Sequence, residues 1–211
     1  MKWGTTMLKK LASDALGLSD IGKVIEPQDY NKTESDDYVL HEKGEQIYFI
    51  IKTKSDEYCF TNLALIHVDG DSAVSKKRTL RRYDYKYNRI RNVSLETAGT
   101  IDLDVEIKFT IGERNLSIDI NKNFAEKIKD LYKTLVEMER MMKENEKHSK
   151  YALESLDIAT RSISAAGFNQ TASPADSFKS IVEFSNQWLT DSSKKYTTED
   201  FGNVFDLFIK N

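Results

Sequence analysis

Between Asp71 and Ser94 the sequence carries eight cations, Lys76, Lys77, Arg78, Arg81, Arg82, Lys86, Arg89 and Arg91, against two acids, Asp71 and Asp84. Such a density of Lys and Arg is the chemistry of anion recognition, and the arginine fork suits phosphate in particular. Tyr83, Tyr85 and Tyr87 are interleaved with these cations. Strand residues alternate faces, so the cations cannot all converge on one patch. Two readings stand. In one, a surface led by Lys76, Lys77, Arg78, Arg81 and Arg82 binds anionic lipid headgroups or an acidic partner. In the other, a solvated strand pair meets the acids Glu34, Asp36, Asp37, Glu42 and Glu45 of its own or a neighbouring subunit.

Other reactive residue types are sparse. Asp102, Asp104 and Glu106 share a strand face, but ligands at i, i+2 and i+4 span about 13 Å and cannot close on one ion. Calcium would need further oxygens from several segments. His41, His67 and His148 show no paired metal-ligand spacing. Cys59, between Tyr58 and Phe60, reads as a buried small hydrophobe. No phosphate-cradling glycine loop and no Gly-x-Ser-x-Gly elbow is present. The expectation is a non-enzyme without metal or cofactor.

The chain has 211 residues, 39% apolar and 31% charged, with a net charge of −3. It is polar for a globular protein, yet ten Phe, ten Tyr and two Trp can fill a core. The net charge argues against a nucleic-acid binder. One cysteine excludes an internal disulfide framework. No apolar run reaches the roughly 20 residues of a membrane span, and no signal-peptide core follows Lys2. A cytoplasmic protein is expected, free or peripheral to a membrane.

Positioning falls to three kinds of element. Residues 3–18 place Met7, Leu8, Leu11, Ala15 and Leu18 on one helical face. With Trp3, Lys2, Lys9 and Lys10 this helix packs on the protein body or acts as an interfacial anchor. The polar stretch 26–37 reads as an irregular connection or edge strand. From 38 to 120 short β-branched and aromatic runs are separated by breakers, the signature of an antiparallel meander. The strands fall at 38–40, 47–53, 57–61, 64–68, 74–83, 90–96, 101–111 and 115–120. Asp102 to Phe109 alternates perfectly, with Leu103, Val105, Ile107 and Phe109 on the apolar face.

After Asn121 the period becomes helical. Phe124, Ile128, Leu131, Leu135, Met138 and Met142 form one seam, whose register continues through Asn145, Ser149, Ala152, Leu156, Ala159, Ile163 and Ala166. Residues 122–166 make either one long helix of roughly 66 Å or two helices hinged near 145–149. Ser173 N-caps the next helix, with Pro174 at N1 and Asp176 at N3. Its expected buried face is Phe178, Ile181, Val182, Ser185, Trp188 and Leu189. A last apolar helix carries Phe201, Val204, Phe205, Phe208 and Ile209 and needs a partner surface.

Phe60-Thr61-Asn62, then a basic strand, then Glu96 to Asp104 (ETAGTIDLD), together with Ala12 to Gly22 (ASDALGLSDIG), resemble the bacterial pleckstrin-homology (PH) domain proteins of the YvbH-like group. The resemblance covers nearly the whole chain. One departure is Leu63-Ala64-Leu65, where many bacterial PH domains carry Lys-Arg-Leu. The resemblance implies an α+β fold: a PH-like antiparallel β-sandwich or barrel capped by a C-terminal helix, followed by a helical, hairpin-like extension that assists oligomerisation. The expected division is 1–25 for the N-terminal helix and connection, 26–143 for the PH-like domain and 144–211 for the extension.

The reading is a self-assembling interaction module, with an anionic-membrane binder as the alternative. Its oligomer and helix-packing residues are Met138, Met142, Leu153, Leu156, Ile163, Phe178, Ile181, Trp188, Phe201, Phe205 and Phe208. The partners expected are copies of the chain, with an unknown protein or an anionic membrane surface as further candidates. Truncation after about Lys143 is expected to leave a monomeric, folded β domain.

Overall fold

The computed structural model describes residues 20–70, 78–97, 104–166 and 173–210, with backbone alone at 163–166. The expected N-terminal helix, Lys76, Lys77, Asp102 and Leu103 lie outside the described residues, as does the side chain of Ile163. Among the described residues, eight strands form two antiparallel sheets. The first runs in the order β1 (Lys23–Ile25), β2 (Ile47–Lys52), β3 (Glu57–Thr61), β4 (Ala64–Gly70) and β5 (Arg78–Asp84). The second comprises β6 (Ile90–Glu96), β7 (Asp104–Ile111) and β8 (Arg114–Asn121). The alternation read in β7 decides its orientation. Val105, Ile107 and Phe109 are buried, while Asp104, Glu106 and Lys108 are half-buried.

Residues 26–37 form the irregular connection expected, but residues 38–40 differ from expectation. The strand placed at 38–40 does not form; the 3₁₀ turns Pro27–Lys32, Glu34–Tyr38 and His41–Lys43 take its place. The cause is two buried carboxylates that take backbone donors out of any ladder. Leu40 N–H donates to Glu45 Oε2 at 2.7 Å and Ser35 N–H to Glu57 Oε2 at 2.8 Å. Val39 is thereby turned onto the sheet, where it packs with Ile50, Cys59 and Ile66 as a small second core. That cover explains why every residue of β3 is buried.

The two sheets are stitched together at Gly22. Its N–H donates to Asp119 O at 2.7 Å, and its carbonyl accepts from Asn121 N at 3.0 Å. A Cβ at this position would stand 2.9 Å from Ile51 Cγ2, closer than side chains approach. Residues 22–25 are therefore an integral edge of the β domain, beyond the 25/26 boundary set from sequence. Gly112, at φ +58, opens the two-residue turn between β7 and β8, a geometry that favours glycine at its first central position.

Asn121 caps the 3₁₀ turn Lys122–Phe124, accepting from Asn123 N at 3.0 Å, and α1 (Ala125–Ala166) follows as one unbroken α-helix. Of its seam, Ile128, Leu131, Leu135 and Met138 are fully buried. Each such side chain contributes about 1.5–3 kcal/mol by leaving water. Glu139 then reaches β6, accepting from Asn92 N at 2.9 Å and Val93 N at 3.4 Å. Those donors belong to a strand irregularity, where the register shifts between Arg91 and Ser94 and Asn92 takes φ 56.

Two further helices are α2 (Pro174–Lys195) and α3 (Gly202–Ile209). The chain divides into two compact units. One holds the described residues up to Glu139 together with Glu199 onward; the other is Arg140–Thr198. The expected 144–211 extension is thus not a single body, because α3 packs with the sheets. In the second unit, Asn145 Nδ2 donates to Thr198 Oγ1 at 2.8 Å and Trp188 Nε1 to Ala152 O at 3.1 Å. The His148 ring stacks on Tyr196 at 5.4 Å. These pairings run in opposite chain directions, so the unit is a helical hairpin.

Gly22→Ala is expected to destabilise the β domain by about 1–3 kcal/mol, the cost of forcing a methyl into a filled contact. Urea unfolding followed by circular dichroism measures it, and an unchanged midpoint would remove Gly22 as the stitch between sheets.

Candidate functional site

The described cations of β5 are held by acids on both faces of the strand. Arg78 Nε lies 3.5 Å from Glu34 Oε2. Arg81 pairs with Asp69. Arg82, on the same face as Arg78 and opposite Arg81, donates to Glu45 Oε2 at 3.0 Å and to Asp84 Oδ1 at 2.7 Å. Beyond the strand, Lys86 pairs with Glu199, and Arg91 donates to Gly112 O at 2.6 Å. Of the five acids named from sequence as partners, Glu34 and Glu45 serve here. Asp36 instead faces His41, at 3.0 Å.

Glu45 is the most deeply placed of these acids, at 1% exposure. Burial alone would raise its pKa, but three donors overcome that: the Arg82 guanidinium, the Thr61 hydroxyl at 2.5 Å and the Leu40 N–H. Its carboxyl is held below the usual range. Glu57 behaves likewise, burial being outweighed by Lys52 and the Ser35 N–H. Thr61 therefore has a fixed task in the Phe60-Thr61-Asn62 motif: it donates to Glu45 and accepts from Ala64 N at 2.9 Å.

Asn62 does different work. Its Oδ1 accepts from Gln46 N at 2.8 Å, and its Nδ2 donates to Asp200 Oδ2 at 2.8 Å. Its carbonyl accepts from Phe201 N at 2.8 Å. Phe201 then meets the edge of Tyr85 at 5.6 Å, and Phe205 stacks on Tyr48 at 4.9 Å. Two residues assigned to oligomer or helix packing, Phe201 and Phe205, are thus spent on docking α3 to the chain's own β domain. Phe208 is half-buried there.

The remaining helical candidates separate by depth. Met138 and Met142 are buried, and Leu156 and Ile181 are half-buried. The expected buried face of α2 is not buried within one chain: among the described residues, none of that helix is. Phe178 is 70% exposed, Phe184 63% and Trp188 39%. On the distal half of α1, Leu153 is 54% and Ile158 59% exposed. An apolar helix face left in water is the mark of a surface that meets something else.

Other expectations meet mixed outcomes. Burial pushes the Cys59 thiol up, leaving it neutral and unreactive. Glu106 pairs with Lys108 at 2.9 Å and accepts from Ser117, which holds its carboxyl low. One constellation was missed. His67 Nε2 lies 3.0 Å from Asp56 Oδ1, and with Asp69 the three side chains bring donor atoms within 4.8 Å of one another. Asp56 lies eleven residues before His67, and only the β3–β4 register, setting Tyr58 opposite His67, brings them together. No fixed sequence spacing announces such a group.

A five-stranded and a three-stranded antiparallel sheet, closed at a glycine stitch and covered by a seam-bearing helix, define the pleckstrin-homology class. The chain belongs to the bacterial PH domain family, whose pattern matches residues 15–139, and the YvbH-like oligomerisation region matches residues 150–211. It is 53% identical over 205 residues to the uncharacterized protein YvbH of Bacillus subtilis (strain 168), covering 97% of this chain and 100% of that one. It is also 36% identical over 95 residues to the uncharacterized protein YjqA of the same organism, covering 44% of this chain and 74% of that one. A crystal structure of a PH domain-containing bacterial protein from Exiguobacterium sibiricum 255-15 is similar, with a TM-score of 0.82 and 46% identity. That match covers 90% of this chain and 100% of the other.

Arg82→Gln leaves Glu45 buried without its main counter-charge. The expected loss at pH 7 is about 3 kcal/mol, the lower end for breaking a buried pair because the guanidinium is partly exposed. Glu45, Asp56 and Glu57 all have folded pKa values below their unfolded ones. Their contribution is therefore complete above about pH 4.3 and lost as pH falls through the folded values. Urea midpoints across pH 3–7 should show the gap between variant and parent narrowing on acidification. A gap independent of pH would show that Arg82 acts by packing instead.

Proposed function

We propose that this protein is a non-catalytic PH-domain module that assembles with copies of itself through the helical hairpin of residues 140–198. The observation that carries this reading is the set of uncovered aromatic side chains on α2, Phe178 and Phe184 above all, together with exposed Leu153 and Ile158 on α1. The match of residues 150–211 to a YvbH-like oligomerisation region points the same way. A hairpin whose apolar side chains are mostly uncovered gains by burying them against an equivalent face, and self-complementary surfaces build closed symmetric assemblies. Met142, Leu153, Leu156, Ile163, Ile181 and Trp188 are proposed to contribute to or border that interface. Phe201, Phe205 and Phe208 are assigned to the intrachain dock.

The alternative, an anionic membrane surface read by Arg78, Arg81 and Arg82, is weakened by the acids already paired with each. A lipid phosphate there would have to displace those carboxylates. Among the described residues no helix is long and apolar enough to cross a membrane.

Truncation after Lys143 would also remove α3 and uncover Tyr48 and Tyr85, so substitution within the intact chain is the cleaner test. The unmodified chain is expected to run as a discrete multiple of 24.3 kDa in light scattering coupled to size exclusion. Phe178→Ser with Phe184→Ser is expected to bring it to the single-chain mass with unchanged circular dichroism. A parent chain that is already monomeric, or a double variant of unchanged mass, would overturn the proposal.

A further inference from the structure

We propose that Asp56, His67 and Asp69 form a binding site for one divalent transition-metal ion, of which zinc is the type. The donors come from two elements, the β2–β3 turn and β4. Their ligand atoms lie within 4.8 Å of one another. Tetrahedral zinc with bonds near 2.1 Å sets its ligands about 3.4 Å apart. His67 Nε2 and Asp56 Oδ1 are already at 3.0 Å, so only Asp69 has to swing inward. The ion takes the place of the proton between His67 Nε2 and Asp56 Oδ1, and the neutral imidazole carries that proton on Nδ1 instead.

Each donor is oriented by a neighbour, as ligands in built metal sites are. The His67 ring is 7% exposed and stacks on Tyr58 at 4.4 Å, which fixes its plane. The second oxygen of Asp56 accepts from Ser55 Oγ at 2.6 Å. Arg81 holds Asp69 through Oδ2, leaving Oδ1 as the ligand. Arg81 adds a positive charge beside the ion and moderates its affinity, but that side chain is partly exposed, so solvent screens the repulsion. An imidazole nitrogen with two carboxylates selects a borderline transition ion over calcium or magnesium, which take oxygen donors. Three protein ligands leave one position open to water or to an incoming donor. The His41–Asp36 pair has the same 3.0 Å contact, but it is exposed and belongs to no such triad among the described residues, which makes it the internal control.

Isothermal titration of the full-length chain with zinc chloride tests the site. One ion per chain is expected. His67→Gln and Asp69→Asn should each weaken binding at least tenfold, while His41→Gln leaves it unchanged. Magnesium and calcium at the same concentration should give no saturable heat. Should either site variant fail to fold, the ¹⁵N resonances of the three imidazoles in the unmodified chain decide the matter: zinc must shift those of His67. Zinc shifts confined to His41 or His148, equal losses in His41→Gln and His67→Gln, or no saturable binding would overturn the proposal.

Discussion

The burial of Ile128, Leu131, Leu135 and Met138 against the sheets is the constraint from which the rest of the β domain follows. Neither sheet could stand alone in water, since Ile107, Phe109, Ile118 and Ile120 of the smaller one are at most 2% exposed only because something covers them. The facing sheet, whose Phe60 meets Phe109 at 6.1 Å, and the seam share the cover, and the seam sets where α1 must lie. Its last turn in this unit then puts the Glu139 carboxylate on the irregular backbone of β6. A helix of different register would bury the wrong face and leave those backbone donors unmet.

Electrostatics within the β domain serve organisation more than display. The chain is rich in charge, yet its β5 arginines are absorbed by Glu34, Glu45, Asp69 and Asp84. Glu45 and Glu57 reach further than pairing. By accepting backbone donors from Leu40 and Ser35 they keep residues 34–40 in tight turns over the outer face of the sheet. Buried acids thus do work that a ninth strand would otherwise do. Among the described residues, most of the large apolar side chains left exposed lie on helices.

Where a pattern is local, the sequence was legible. The alternation of β7, the seam of α1 and the Ser173 cap all rest on neighbours a few residues apart, and all three appear in place. The runs at 57–61 and 90–96 match β3 and β6 residue for residue. Features resting on distant partners were not legible. The strand expected at 38–40 has the right residue types, but Glu45 and Glu57 decide its fate. The division of the helical tail failed to show for the same reason: Phe201 and Phe178 look alike in composition, and only the distant Asn62, Tyr48 and Tyr85 separate a docked residue from an uncovered one. Asp56 and His67 likewise meet through strand register alone.

The clasp of Asn62 on Asp200 joins residues 138 positions apart. Contacts of such sequence separation form late, because a long loop must close before they reward the chain. During synthesis the sheets and the seam of α1 are complete well before Phe201 and Phe205 exist. Until then Tyr48 and Tyr85 lack the rings that cover them. The β domain is therefore finished by residues far along the chain from the strands they cover, and the arrival of Phe201 and Phe205 marks the point at which that part of its core is closed.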